Sequence, residues 1–320
     1  MATAALDFGS RYKKLLIAAG LILLLFIIGE IIVGNFFSVG QVLLTVKVAT
    51  FISLFGLCQM IVISSGGGGL DLSVGFNATI VAVFVAKICD GQNENLIMAL
   101  LAAVGVGALI GAVNGLFTAY LGLPPLVVTM AMGSIIQGVI NVYTSGNSIT
   151  GRPAPALVQI TAKSTEGVPN ILFILIFFTV IIMLFIYKTR WGTKLLGVGA
   201  NETAAYLCGV NVKAVRLMAF IACGAIAGIT GMLLVGNMGQ AFKDMGSIYV
   251  MPSIAAVVVG GVSLNGGEAN YIGVIIGAVM LQTLTNVFVA MGWGDAGKWM
   301  GYGIILVFML IAYVRGKSNR

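Results

Sequence analysis

The sequence predicts an all-α fold: a polytopic transmembrane helical bundle of about ten spans with both termini cytoplasmic. Three observations carry this expectation. Of 320 residues, 59% are hydrophobic and 8% charged, and the mean hydropathy is +1.09. A soluble core cannot absorb that much apolar surface. Apolar runs of membrane-spanning length recur along nearly the whole chain. Eleven of the 17 Lys and Arg gather at the chain ends and in one polar break, residues 188–216. The net charge of +7 therefore reads as membrane topology rather than as a surface for nucleic acid.

Taken in order, the expected spans are 15–33, 42–63, 74–88, 96–120, 126–143, 171–187, 214–236, 251–262, 271–291 and 300–314. Arg11, Lys13 and Lys14 precede the first run, which at roughly 19 residues is long enough to be a retained span rather than a cleaved signal. An inside N-terminus leaves Arg152, Lys163, Lys243 and Lys298 outside. Lys188, Arg190, Lys194, Lys213, Arg216, Arg315, Lys317 and Arg320 then fall inside with the first three, and an odd number of spans would spoil that asymmetry. Lys47 and Lys87 lie near span ends, where their stems can reach the interface.

Two expected spans are short for a hydrocarbon layer of ~30 Å. Span 74–88 follows the glycine run Gly66 to Gly69. Span 251–262 opens at Pro252 and closes on Gly260 and Gly261. Short or broken helices are expected near 66–88 and 251–270, and Gly-interrupted short segments in both halves point to a transport path. Glycines at four-residue spacing (Gly107, Gly111 and Gly115; Gly224 and Gly228; Gly273 and Gly277) predict close helix packing. The external loop 144–170, rich in Gly, Pro, Ser and Thr, is long enough to meet a soluble partner.

Within 188–216, Asn201 can cap a short helix running to Leu207. Glu202 sits in its first turn, Ala204 and Ala205 favour helix, and Gly209 follows where a left-handed residue would end it. With Gly199 before it, this segment is a candidate docking surface for a soluble partner.

No enzyme constellation is present. The chain has no His, which removes the usual proton shuttle and the commonest metal ligand. The four cysteines (Cys58, Cys89, Cys208 and Cys223) are dispersed, with neither metal spacing nor a disulfide pattern. Gly66 to Gly69 lacks the Lys-Ser/Thr pair of a phosphate-binding loop. No catalytic residue, cofactor or metal is expected. Candidates for a solute path are polar groups within or beside spans: Gln59, Asp71, Asn77, Asn114, Gln137, Asn141, Gln282 and Asn286. The amides of all but Asp71 suit a neutral polyhydroxylated solute, while hydrogen bonding between helices is the plainer role for each of them. Asp71 has a sufficient structural role as a helix cap.

Four stretches then resemble a known family. Ser65 to Gly75 (SGGGGLDLSVG), Asn114–Gly115 with Leu123 to Gly133 (LPPLVVTMAMG), Arg190 to Val212 (RWGTKLLGVGANETAAYLCGVNV) and Ile254 to Gly267 (IAAVVVGGVSLNGG) are similar to segments of the ribose-type permease subunits of bacterial binding-protein-dependent ABC importers. The likeness covers nearly the whole chain, and the four stretches are specific only together. It implies a single permease domain over 1–320 in the bacterial inner membrane. The implied partners are a cytoplasmic ABC ATPase, a periplasmic or extracellular sugar-binding protein, membrane lipid and a second permease in a homo- or heterodimer. It also assigns Gly199, Asn201, Glu202, Ala204, Ala205 and Gly209, within the loop 188–216, to ATPase coupling. Val250 and Pro252 stand where relatives often carry acids, which bears on the choice of sugar. An uncoupled facilitator or channel for small neutral solutes is the alternative function.

Overall fold

The computed structural model describes residues 19–34, 36–144, 151–294 and 296–303. The described chain is almost wholly helical: α1 (Ala19–Val33), α2 (Val39–Ser64), α3 (Val74–Cys89), α4 (Leu96–Gly115), α5 (Pro125–Tyr143), α6 (Pro155–Thr161), α7 (Ile171–Lys188), α8 (Arg190–Ala200), α9 (Glu202–Leu207), α10 (Val212–Met238), α11 (Val250–Val259) and α12 (Tyr271–Ala290). A π-helical turn, Leu116–Tyr120, extends α4, and a 3₁₀ turn, Ser247–Tyr249, leads into α11. Ser164–Thr165 and Val168–Pro169 form a small antiparallel hairpin.

Six helices are long and apolar enough to cross a membrane: α2, α4 with its π turn, α5, α7, α10 and α12. Helices α1, α3 and α11 are apolar but shorter. These nine match the first nine expected spans; most of the tenth, 300–314, lies outside the described residues, as do the first residues of span 15–33 and both termini.

Helix α2 is the centre of the molecule. Its last twenty residues, 45–64, are nearly all buried, among them Phe51, Phe55, Leu57 and Met60. Helices α10, α11 and α12 pack around it, and α10 packs most extensively against α4. The α4–α10 seam is made of backbone. A Cβ on Gly107 would lie 3.1 Å from the Gly224 carbonyl carbon and from Gly228 Cα, and one on Gly111 would lie 2.9 Å from the Phe220 carbonyl carbon. Small residues four apart let two helices approach this closely in lipid, where packing rather than hydrophobic burial drives association. The third glycine pair works likewise: a Cβ on Gly277 would lie 2.5 Å from Ala256 O of α11.

Helices α3 and α11 are short because they begin inside the bundle. Asn77, in the first turn of α3, donates to Gly107 O (3.2 Å) and Gly224 O (3.4 Å), both near the midpoints of their helices. At ~1.5 Å per residue α3 reaches ~24 Å, less than a full hydrocarbon layer. At the same depth Gly75 meets the turn before α11: a Cβ there would lie 2.5 Å from Gly246 O, and Gly246 N donates to Thr79 Oγ1 at 3.0 Å. Both expected broken segments therefore meet at their helix starts, inside protein, where irregular backbone is tolerated.

The polar break differs from its expectation. Besides the short helix α9, it contains the eleven-residue α8. Thr189 caps α8 by accepting from Gly192 N at 3.2 Å, and Gly192, Leu195 and Val198 form its buried stripe. The described part of the loop expected outside, 151–170, carries α6 and the hairpin. Lys47 Nζ donates to Ala162 O at the end of α6 (2.9 Å), and Leu157 packs where a side chain on Gly236 would go.

Candidate functional site

The residues expected on ATP coupling cluster at the end of the bundle that carries α8 and α9. Asn201 caps α9, accepting from Ala204 N at 2.9 Å, and Gly209 ends it at φ +77°. Ala205 is the buried residue of α9, so it anchors the helix. Glu202 pairs with Arg216 of α10 at 2.6 Å across a largely solvated gap. Such an exposed pair contributes at most ~1 kcal/mol. An open groove of about 480 Å³ runs between α8 and α9, lined by Arg190, Thr193, Lys194, Ala204 and Cys208 among others. Beside it stand Tyr206 and Leu207, 70% and 78% exposed. Sequence reasoning missed these two. The available signal was two large apolar residues in the most basic segment of the chain.

Gly199 is packed against backbone. It sits within α8, where a Cβ would lie 3.0 Å from the Ser64 carbonyl carbon, and Gly66 and Gly266 crowd the same point. Gly267 N donates to Ser64 O at 3.1 Å, Ser64 Oγ donates to Glu268 O at 2.6 Å, and Tyr187 OH donates to Ala269 O. The chain just before α9 is thus wedged between the end of α2 and the turn leading to α12. Both broken segments, at Gly66 and at Gly266–Gly267, touch it there.

Those broken segments explain several expected path residues. Between Gly69 and Ser73 the backbone enters the bundle without helix or sheet, and buried amide groups need partners. Gln59 supplies two: Nε2 donates to Asp71 O (2.7 Å) and Oε1 accepts from Asp71 N (3.2 Å). Thr129 of α5 accepts from Leu72 N at 3.1 Å and donates to Leu70 O at 3.3 Å. Asp71 itself is 2% exposed; its Oδ1 accepts from Ser73 N (2.8 Å) and Ser73 Oγ (2.6 Å), in the turn ahead of α3, whereas the residue at the helix cap is Ser73, with no side-chain cap bond. Asn114 donates to Ser73 Oγ at 2.8 Å and, at 3.4 Å, to Asp71 Oδ2, which Cys223 also approaches at 3.6 Å. Gln59, Asp71, Asn77 and Asn114 thus hold the start of α3 in place.

The other four part company. Gln282 donates to Asn286 at 2.8 Å, and Asn286 donates to Thr45 of α2 at 2.9 Å, tying α12 to α2. Gln137 and Asn141 instead face outward from α5 beside Ser134 and Gly138. Four polar or small residues on the outer face of an apolar span are costly against lipid and ask for a protein or aqueous neighbour.

The comparisons agree with this architecture. Residues 41–313 match the sequence model of the family described as branched-chain amino acid transport system / permease component. The chain belongs to that family. The permease is 31% identical over 277 residues to the ribose import permease protein of Escherichia coli, covering 86% of this chain and 84% of that one. It is 29% identical to the galactose/methyl galactoside import permease protein of the same species, over 89% of this chain and 96% of that one. It is 27% identical to the fructose import permease protein of Rhizobium meliloti, over 90% of this chain and 81% of that one. No solved structure matches the chain. With six helices long and apolar enough to span among the described residues, the permease is a multi-pass protein of the bacterial inner membrane.

Proposed function

We propose that this permease is the membrane subunit of an ABC importer that moves a monosaccharide, or a similar neutral polar solute, into the cytoplasm. The relatives named above import ribose, galactose and fructose. The observation that carries the reading is the build of the basic end. A short capped helix displays Tyr206 and Leu207 beside a basic groove and is wedged through Gly199 onto the end of α2. That end is cytoplasmic by its charge. A separate ATPase docks on α8 and α9, and Gly199, Asn201, Glu202, Ala204, Ala205 and Gly209 set the shape of that corner. An external sugar-binding protein delivers the solute on the opposite side, where α6 and the hairpin lie. The outward polar face of α5, with Gln137 and Asn141, turns toward a second permease subunit, and the solute passes along that seam.

The test is uptake of radiolabelled ribose, galactose and fructose into liposomes holding the permease with its ATPase and binding protein. Accumulation above the outside concentration that stops without ATP or without the ATPase is expected. Equilibration by the permease alone would replace this reading with the uncoupled facilitator.

A further inference from the structure

A second cavity, about 470 Å³, opens beside the glycine run, between Gly66–Gly69, the α4–α5 connection at Pro124 and Pro125, and Arg216. Gly66, Gly67 and Gly68 are consecutive left-handed residues, at φ +74°, +67° and +69°. Among the described residues the N–H groups of Gly67 and Gly68 have no hydrogen-bond acceptor. The Arg216 guanidinium lies flat against this turn: a Cβ on Gly67 would fall 2.8 Å from Arg216 Cζ. One of its outer nitrogens holds Glu202, but Nε is buried and unpaired. A buried donor without an acceptor costs free energy, and an ordered ion is one of the ordinary explanations for it.

We propose that this cavity is an anion site for a phosphate group, bound by Arg216 and the amides of the Gly66–Gly69 turn. Arginine presents a fork of donors that matches phosphate oxygens, and freed backbone N–H groups in a tight turn add further donors. Thr118 on the opposite wall offers a hydroxyl. The cavity opens at the basic end, so the group comes either from free phosphate or from the headgroup of an anionic phospholipid. A bound phosphate competes with Glu202 for the guanidinium. Its occupancy therefore loosens α9 from α10; what that does to coupling rests on the docking role proposed for α9, whereas the binding itself does not.

The experiment is thermal unfolding of the full-length permease in nanodiscs, titrated with inorganic phosphate at constant ionic strength. One arm uses phosphatidylcholine alone; the other adds phosphatidylglycerol and no phosphate. Saturable stabilisation by phosphate in the first arm identifies free anion, and stabilisation only in the second identifies the headgroup. In either case Arg216→Gln abolishes the shift. Glu202→Gln, which frees the guanidinium, tightens binding by about two- to fivefold, the loss of one exposed ion-pair competitor. A site where Arg216 serves only to support α9 would not give that opposite sign. No saturable shift in either arm, an equal shift in Arg216→Gln, or weaker binding in Glu202→Gln overturns the proposal.

Discussion

Gln59 shows how one polar side chain in an apolar span is decided by its backbone surroundings. Its amide meets both main-chain groups of Asp71. Gln59→Leu leaves two buried backbone groups unpaired, at about 1–3 kcal/mol each. Gln282→Leu removes a single bond between neighbours on one helix, worth on average about 0.6 kcal/mol in lipid. Thermal unfolding in detergent is expected to rank Gln59→Leu well below Gln282→Leu. Gly111→Leu pushes a side chain into the Phe220 backbone and is expected to abolish the monodisperse protein in size-exclusion chromatography. The glycine spacing was legible in the sequence because close approach is a property of one helix face. That Gly107 and Gly111 meet Phe220 to Gly228 of α10 was not, since it depends on which helices become neighbours. Asp71 was legible as a polar residue just ahead of α3, but its link to Asn114 and Cys223 joins residues far apart in sequence.

At the scale of elements, α8 was hidden and α9 was visible. Helix α9 has a local signature: Asn201 as cap, an acid in the first turn and Gly209 beyond the end. In α8 the basic residues Arg190 and Lys194 obscured a buried stripe of Gly192, Leu195 and Val198. Leu207→Asp and Tyr206→Asp change only exposed side chains. They are expected to leave membrane insertion and thermal stability unchanged while weakening co-purification of the ATPase at least tenfold, since large apolar anchors dominate interfaces. On α5, replacing Gln137 and Asn141 together by Leu removes both amides from the outward face, which keeps Ser134 as its polar residue. Uptake is expected to fall severalfold with no loss of stability, because both side chains point away from the core. Unchanged uptake would move the solute path elsewhere.

Over the whole molecule, the described fold is two broken segments braced by long helices. Both brace points, Gly75 against Gly246 and Gly199 against Ser64, are contacts of backbone with backbone. A side chain at Gly75, Gly246 or Gly199 would force the joined segments apart. Composition alone gave the class, because no soluble protein carries this much apolar surface. The depth at which α3 and α11 begin was signalled only by their short length. Everything functional depends on α9 lying on the cytoplasmic side, within reach of an ATPase. The direct measurement is labelling of a Thr203→Cys permease with a membrane-impermeant maleimide, in a Cys208→Ser background that removes the neighbouring exposed thiol. No labelling in intact cells, rapid labelling in inside-out vesicles and protection by the added ATPase are expected; labelling in intact cells would contradict the account.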